Sequence, residues 1–167
     1  FETLIMYAHF YLPSTVSDKK KVEKVNFLIQ ELGLIKGRDT FIGDEKVRGV
    51  SGGERKRTSV ATQLISDPYV LFLDEPTSGL DSFQAQAIME TMKDLSDKGR
   101  LVITVIHQPR SSIFDMFDQL LLLAEGQTIF MGNAKDSIAY FSQLGYKCPE
   151  SFNPTDFFLD IASSDTR

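Results

Sequence analysis

The sequence predicts an α/β fold with a mostly parallel sheet. Two segments, 70–73 and 101–106, are apolar on both of their faces, which is typical of parallel strands that are covered by helices on either side. Ligands of open α/β sheets bind outside the carboxyl ends of the strands. The residues that follow these two strands are therefore the first candidates for a functional site.

The first third of the chain is predicted to be helical. Residues 1–12 form an apolar helical pattern that Pro13 stops, and residues 18–32 form a second helix that ends at Gly33. Val22, Val25, Ile29 and Leu32 give this second helix one apolar stripe, so we expect it to pack into a core. Residues 37–50 are polar and rich in glycine, which indicates a loop with a short extended piece at 41–42.

The segment 50–55, V-S-G-G-E-R, opens the next predicted helix, which runs to about Ser66. Ser51 and Glu54 have the spacing of a capping box, which accounts for a serine and a glutamate at these positions. It does not account for Gly52 and Gly53, since glycine weakens a helix unless the backbone needs unusual dihedral angles or a ligand approaches closely. Free amides at the positive end of a helix suit a phosphate, so we favour phosphate contact over capping alone.

Two adjacent acids, Asp74 and Glu75, end the first strand. A bare acidic pair is usually a solvated strand end, but here a turn with Pro76 follows, and Asp81 then caps a helix over 83–98. Asp74 is the candidate Mg²⁺ ligand, because this hard cation prefers oxygen ligands and keeps much of its water. Glu75 is the candidate general base that polarises an attacking water.

His107 follows the second strand, so its side chain is expected at the same crevice as the acidic pair, where it would hydrogen-bond a terminal phosphate and the attacking water. Beyond it we expect a short helix over 113–117 and a hairpin of strands 119–124 and 128–131 that closes the sheet. A helix over 134–144 and a small apolar helix in the tail complete the chain.

Composition excludes several classes of function. The 167 residues are 42% hydrophobic and 25% charged, which is ordinary for one globular core. The net charge of −5 argues against a nucleic-acid partner, and a single cysteine argues against a disulfide framework. No apolar run reaches the length of a membrane span. Because the chain opens with Phe1 inside a helical pattern, we expect its true N-terminus to lie upstream.

Together these segments resemble the nucleotide-binding domain of ABC transporters. V-S-G-G-E-R at 50–55 is similar to the signature motif, Y-V-L-F-L-D-E at 69–75 to Walker B, S-G-L-D at 78–81 to the D-loop, and His107 to the H-loop histidine. S-G-G-E-R-K-R, D-E-P-T-S-G-L-D-S, I-H-Q-P-R-S-S-I-F and N-P-T-D-F-F resemble the G subfamily, the white-type half-transporters. The resemblance covers essentially the whole chain.

The resemblance implies an ATPase that binds ATP and Mg²⁺ and works as a pair of cassettes, either a homodimer or a heterodimer. Asp74, Glu75 and His107 would act on the nucleotide of their own subunit, whereas the signature residues would contact the nucleotide held by the partner. The nucleotide-contacting set is Ser51, Gly52, Gly53, Glu54 and Asp81. Closure on ATP would drive a transmembrane domain of the same polypeptide, with the cassette on the cytoplasmic face of the membrane, to export a lipid, sterol or xenobiotic.

The implied fold is a P-loop NTPase-like core with a helical signature subdomain. Residues 1–68 would form the helical subdomain and signature helix, 69–132 the core, and 133–167 a helical extension. The chain lacks the sequence G-x-x-x-x-G-K-[ST], so the phosphate loop is missing from it and we expect the chain alone to be inactive. A non-transport ABC ATPase and a catalytically silent interaction fragment are the alternatives.

Overall fold

A computed structural model describes residues 1–43, 46–150 and 152–164. Parts of the predicted loop 37–50 and of the predicted extension 133–167 lie outside these described residues. The helices are α1 Glu2–Tyr11, α2 Asp18–Glu31, α3 Gly52–Leu64, α4 Ser82–Asp97, α5 Ser111–Phe114, α6 Ser137–Gln143 and α7 Pro154–Ser164. The strands are β1 Val70–Asp74, β2 Leu101–Val105, β3 Gln119–Ala124 and β4 Gln127–Asn133.

The chain divides into two compact units, Phe1–Val105 and Ile106–Arg167. In the first unit, β1 and β2 form a parallel pair whose register runs from Val70 opposite Leu101 to Asp74 opposite Val105. The prediction that these two strands are parallel neighbours is confirmed. Their carboxyl ends are level, so Asp74 lies at the edge of the sheet where ligands bind in α/β proteins.

The core of the first unit lies between its helices and one face of this sheet. The predicted stripe of α2 is confirmed for Val25, Ile29 and Leu32, which are buried, whereas Val22 is half-buried. They pack with residues of α1, α3 and α4 and with the inward-facing side of β1. The buried members of this cluster outside α2 are Leu4, Ala8, Leu34, Val60, Ala61, Leu64, Ile65, Leu71, Met92 and Leu95.

The expectation that helices cover both faces of the strands is wrong for the described residues. Leu71 is 4% exposed, whereas Phe72, which points to the opposite face, is 77% exposed. Val70, Ile103 and Val105 are exposed on that same outer face. Successive side chains of a strand alternate between faces, and the helices of this unit cover only one of them.

The second unit contains a hairpin that forms its own antiparallel sheet. The expectation that the hairpin closes the parallel sheet is therefore wrong. Glu125 and Gly126 connect the strands with φ values of 51° and 76°. Two successive positive φ angles are those of a type I′ turn, whose twist matches that of the flanking strands.

A cluster of phenylalanine rings forms the core of the second unit. Phe114 of α5, Phe141 of α6 and Phe158 of α7 are buried together, and ring centroids within the cluster lie 5.4 Å apart for Phe141 and Phe158. Of the aromatic residues in the tail, Phe157 and Phe158 are thus core residues, as expected, whereas Phe152 is 43% exposed. The predicted helix over 134–144 differs in detail, since it starts as a 3₁₀ turn, Ala134–Asp136, and becomes α-helical at Ser137.

Candidate functional site

The start of α3 is closed by a complete capping box. The Ser51 hydroxyl accepts a hydrogen bond from the Glu54 amide at 3.2 Å, and Glu54 Oε2 accepts from the Ser51 amide at 2.9 Å. The Ser51 hydroxyl also donates to Glu54 Oε2 at 2.9 Å. These bonds satisfy amides that helix geometry leaves without partners, so the capping part of the prediction is confirmed.

The same contacts control the charge of Glu54. The hydrogen bond from the Ser51 amide, and then that from the Ser51 hydroxyl, hold the pKa of the Glu54 carboxyl below its usual range against the opposing effect of burial. Hydrogen bonds to a carboxylate favour its ionised form. Glu54 is therefore a charged capping group whose Oε2 is already occupied.

The two glycines at this helix start lie against α4 and the turn before it. A Cβ at Gly52 would lie 3.2 Å from Leu80 Cδ2, and one at Gly53 would lie 3.5 Å from Cβ of Gln84. Neither glycine has a positive φ. Packing against Leu80 therefore leaves little room for a Cβ at Gly52, whereas a Cβ at Gly53 would make only ordinary contacts, so packing within this chain does not account for Gly53.

The end of β1 places Glu75 in an unusual backbone conformation. Its φ is 43°, in the left-handed region that residues with a Cβ adopt rarely. The Glu75 amide donates to Val105 O at 2.9 Å, and its carbonyl accepts from the Ser78 amide at 3.1 Å. The side chains of Asp74 and Glu75 are exposed, so both carboxylates can be reached by a ligand.

Residues 76–81 then lead into α4. Gly79 has a φ of 73°, as expected for a glycine in a tight turn. Asp81 is the N-cap of α4, and its Oδ1 accepts from the Gln84 amide at 2.9 Å. The prediction that Asp81 caps this helix is confirmed. This cap fixes the direction in which the chain leaves the acidic pair.

The start of α3 and the turn before α4 line one open groove of about 430 Å³. Two cationic side chains, Arg55 and Lys56, lie on its helical wall. Lys56 Nζ also donates to the carbonyl of Glu75 at 3.4 Å, so the groove wall is linked to the end of β1. The remaining lining residues are Gly52, Ser59, Ser78, Gly79 and Leu80.

The sequence prediction did not single out Lys56. The only signal in the sequence is that Lys56 lies one turn into a helix whose start is a candidate phosphate site. Its bond to a backbone carbonyl depends on the packing of α3 against the turn at 75–80, which no local pattern encodes.

Asp74 and Glu75 supply only part of the ligands that a Mg²⁺ site needs. Within the described residues, no three His, Cys, Asp or Glu side chains converge into a group that could hold a metal ion. Mg²⁺ in nucleotide sites is usually held by one or two carboxylates together with phosphate oxygens and water. Asp74, exposed at a strand end, suits that partial role and does not form a metal cage.

His107 belongs to the second unit and is exposed. The place of its side chain beside the acidic pair stays a prediction. Gln108, the next residue, has a φ of 45°. The carbonyl of Pro109 accepts from Thr155 Oγ1 at 2.8 Å and from Asn153 Nδ2 at 3.1 Å.

Sequence reasoning assigned no chemistry to Asn153 or Thr155. The one sequence signal that could have pointed to these two residues is the motif N-P-T-D-F-F, because an Asn before a proline is typical of a helix start. The structure adds a second function for this cap, because it is bonded to the turn after His107.

No helix among the described residues has both the length and the apolar character needed to cross a membrane.

Comparison with protein families gives two matches. Residues 3–78 match the family described as ABC transporter, and residues 107–164 match the family described as ABC-2 type transporter. The first match contains the capping box and the acidic pair. The second begins at His107 and ends at the last residue of α7.

The chain is also similar over nearly its whole length to known proteins. It is 51% identical over 165 residues to the broad substrate specificity ATP-binding cassette transporter ABCG2 of Sus scrofa, covering 99% of this chain and 25% of the relative. It is 46% identical over 166 residues to ATP-binding cassette sub-family G member 8 of Homo sapiens, with 99% and 25% covered. ABC transporter G family member 7 of Arabidopsis thaliana is 47% identical over 165 residues, with 98% and 23% covered. The chain spans about a quarter of the length of these relatives.

Solved structures share the fold. MJ1267, an ATP-binding cassette of an ABC transporter, superposes with a TM-score of 0.64 at 23% identity, covering 81% of this chain and 53% of that chain. CbiO1 of Clostridium perfringens, part of the ABC transporter complex cbiONQ, gives 0.64 at 22% identity, with 83% and 53% covered. At these identities the likeness establishes the fold alone, and it confirms the predicted α/β class of an ABC ATPase core.

Proposed function

The chain belongs to the G subfamily of ABC transporters, and on that premise we propose that it forms part of an ATP-hydrolysing cassette that powers transport across a membrane. The observation that carries the proposal is the groove of the first unit. Its wall is the N-terminal part of α3 with the cations of Arg55 and Lys56, and its other side is the turn that follows Asp74 and Glu75. A helix start with nearby cations attracts the phosphates of a nucleotide.

Asp74 and Glu75 have different roles in this proposal. Asp74 would hold Mg²⁺ through an oxygen, and the ion, when bound, would neutralise charge on the phosphate oxygens. Glu75 would accept a hydrogen bond from the attacking water and polarise it as the general base. The exposure of both carboxylates supports these roles, because each needs room for water and phosphate beside it.

His107 would hydrogen-bond the terminal phosphate and orient the attacking water. A neutral imidazole offers one donor and one acceptor, which suits a group that touches both a phosphate oxygen and a water. The exposure of His107 in the second unit supports this role, since its ring is not occupied by a core contact.

The signature residues would act on the nucleotide of a second cassette. Ser51 and Gly53 would contact its γ-phosphate, with Gly52 and Glu54 shaping the same helix start and Asp81 setting the adjoining turn. In the chain alone, the Ser51 hydroxyl donates to Glu54. Contact with a phosphate would redirect that donor, so closure of a dimer would exchange an internal hydrogen bond for one to the nucleotide.

We propose export of a lipid, sterol or xenobiotic as the transported class, with the cassette on the cytoplasmic face of the membrane. The support is the similarity to G-subfamily relatives, one of which is named for broad substrate specificity. The transmembrane domain would belong to the same polypeptide, and the second cassette would come from an identical or a related chain.

The 167-residue chain by itself should bind MgATP weakly and hydrolyse it negligibly. It contains no G-x-x-x-x-G-K-[ST] segment, whose amides and lysine hold the α, β and γ phosphates in P-loop proteins. Isothermal titration calorimetry of the chain with MgATP measures this directly. Submicromolar affinity would contradict the expectation.

The decisive experiment for the proposed function replaces Glu75 in the intact transporter. Glu75→Gln should leave MgATP binding unchanged and lower kcat by about 10²-fold or more, because general acid–base catalysis contributes about that much. Glu125→Gln is the matched control, since Glu125 is also exposed and also has a positive φ, but lies in the hairpin turn. Steady-state ATPase activity that survives Glu75→Gln nearly intact would rule out Glu75 as the base.

A further inference from the structure

The turn after His107 is held at one atom by two residues from the far end of the second unit. Thr155 Oγ1 donates to the Pro109 carbonyl at 2.8 Å, and Asn153 Nδ2 donates to the same oxygen at 3.1 Å. Thr155 is buried, so its hydroxyl has little competition from water. Both lone pairs of one carbonyl oxygen are thus used by α7 and its cap.

Asn153, which caps α7, is itself held by hydrogen bonds. Asn153 Oδ1 accepts from the Ser111 hydroxyl at 3.3 Å and from the Thr155 amide at 3.4 Å. Asn153 therefore touches both sides of the turn, through Pro109 at its middle and Ser111 at the start of α5. The first residues of α7 and the segment 109–111 form one hydrogen-bonded piece.

The turn needs such support because its backbone is strained. Gln108 has a φ of 45° and precedes a proline, which further restricts the conformations of the residue before it. A residue stays in a sparsely populated backbone region only when its surroundings fix it there. Gln108 lies between His107 and Pro109, so the two hydrogen bonds to the Pro109 carbonyl hold the backbone next to the strained residue.

We propose that Asn153 and Thr155 are positioning residues for His107, which they orient through the carbonyl of Pro109. This inference rests on the proposed function of His107 as the residue that contacts the terminal phosphate. It gives a structural role to the motif at 153–158, because the hydrogen bonds of Asn153 and Thr155 link the start of α7 to the turn after His107. The second family match spans this same stretch, from His107 through α7.

Hydrogen-exchange mass spectrometry of the 167-residue chain tests the contact without any nucleotide. The amides of Ile113 and Phe114 donate to the carbonyl of Arg110, so they report whether the turn is held. Thr155→Val removes the hydroxyl and keeps the shape of the side chain. We expect exchange in peptides over 110–117 to rise about fivefold, the effect of losing one hydrogen bond.

Two variants control this measurement. Thr155→Ser retains a hydroxyl and should restore exchange over 110–117 to that of the unmodified chain. Thr91→Val removes a comparable hydroxyl in the first unit, where Thr91 Oγ1 donates to Ala87 O at 2.8 Å, and should leave 110–117 unchanged. Exchange over 110–117 that does not rise in Thr155→Val, or that rises equally in Thr155→Ser, overturns the inference.

If Thr155→Val destabilises the whole second unit, a second variant tests whether the hydrogen bond to Pro109 holds the turn. Asn153→Asp keeps the Oδ1 acceptor for Thr155 and Ser111 but removes the donor to Pro109. Faster exchange confined to 110–117, with peptides of β3 and β4 unchanged, supports the inference. Unchanged exchange over 110–117 in this variant overturns it.

The effect on the reaction is measured in the intact transporter. Thr155→Val should lower kcat about tenfold while the KM for MgATP stays the same, because a misdirected His107 affects turnover and not nucleotide capture. Thr155→Ser should recover kcat. An unmodified transporter without ATPase activity would refute the proposed function, whereas the exchange comparison would still decide whether Thr155 holds the turn.

Discussion

Replacing Glu75 by glycine should abolish the proposed chemistry without weakening the fold. Every hydrogen bond of Glu75 within the described residues uses its backbone: the amide donates to Val105, and the carbonyl accepts from Ser78 and Lys56. Glycine keeps all three bonds. It also removes the Cβ that makes a φ of 43° unfavourable.

The size of the effect follows from two opposing contributions. A residue with a Cβ loses about 1–2 kcal/mol in the left-handed region. Glycine itself lowers the free energy of unfolding by about 0.5–1 kcal/mol, because it gives the unfolded chain more conformational freedom. The difference predicts that Glu75→Gly leaves the free energy of unfolding unchanged or raises it by up to about 1.5 kcal/mol.

Urea denaturation of the 167-residue chain, followed by far-ultraviolet circular dichroism, measures this change. Glu125→Gly is the matched variant, since Glu125 has a φ of 51° in the hairpin turn and should show a similar gain. Glu75→Gln keeps the strain and should stay within about 0.5 kcal/mol of the unmodified chain. A loss of about 1 kcal/mol or more in Glu75→Gly, with Glu125→Gly neutral, would refute the reasoning by revealing a structural partner of the Glu75 side chain.

Three further predictions concern stability. Ser51→Ala should lower the free energy of unfolding by about 1 kcal/mol in urea denaturation, because it removes the N-cap hydroxyl of α3. The pKa of Glu54 is lowered from 4.5 in the folded chain, chiefly by the Ser51 amide. Its contribution is therefore complete above the unfolded pKa and is lost as pH falls through the folded pKa, so Tm should fall less steeply below about pH 4.5 in Glu54→Gln than in the unmodified chain. Phe158→Ala should cost about 3–5 kcal/mol, since this ring is 1% exposed, whereas Phe83→Ala, at an 83% exposed ring, should cost about 0.5 kcal/mol or less; urea denaturation distinguishes them.

The local features of the site were predictable from the sequence because they depend on short spacing. The capping box of Ser51 and Glu54 and the N-cap at Asp81 each involve residues three positions apart, and helix geometry fixes such contacts. The parallel pairing of β1 with β2 followed from their apolar composition. These elements could be placed without knowledge of tertiary contacts.

The contacts that join distant segments were not predictable in this way. Lys56 reaches the carbonyl of Glu75, nineteen positions away, and Thr155 reaches that of Pro109, forty-six positions away. Both bonds end on backbone oxygens, which every residue carries, so no side-chain pattern marks the acceptor. The sequence also could not predict that one face of β1 is exposed, because an apolar strand does not show which of its faces the rest of the chain covers.

That uncovered face gives the acidic pair a second physical effect. A short apolar strand with an open edge is a template for pairing with other chains, and charged residues beside such strands act as gatekeepers against aggregation. Phe72 is exposed on β1, Asp74 ends this strand and Glu75 follows it, while Arg100 precedes β2. Neutralising either acid therefore removes a gatekeeper as well as a proposed ligand or base, so the solubility of such variants should be measured before a loss of turnover is read as a loss of chemistry.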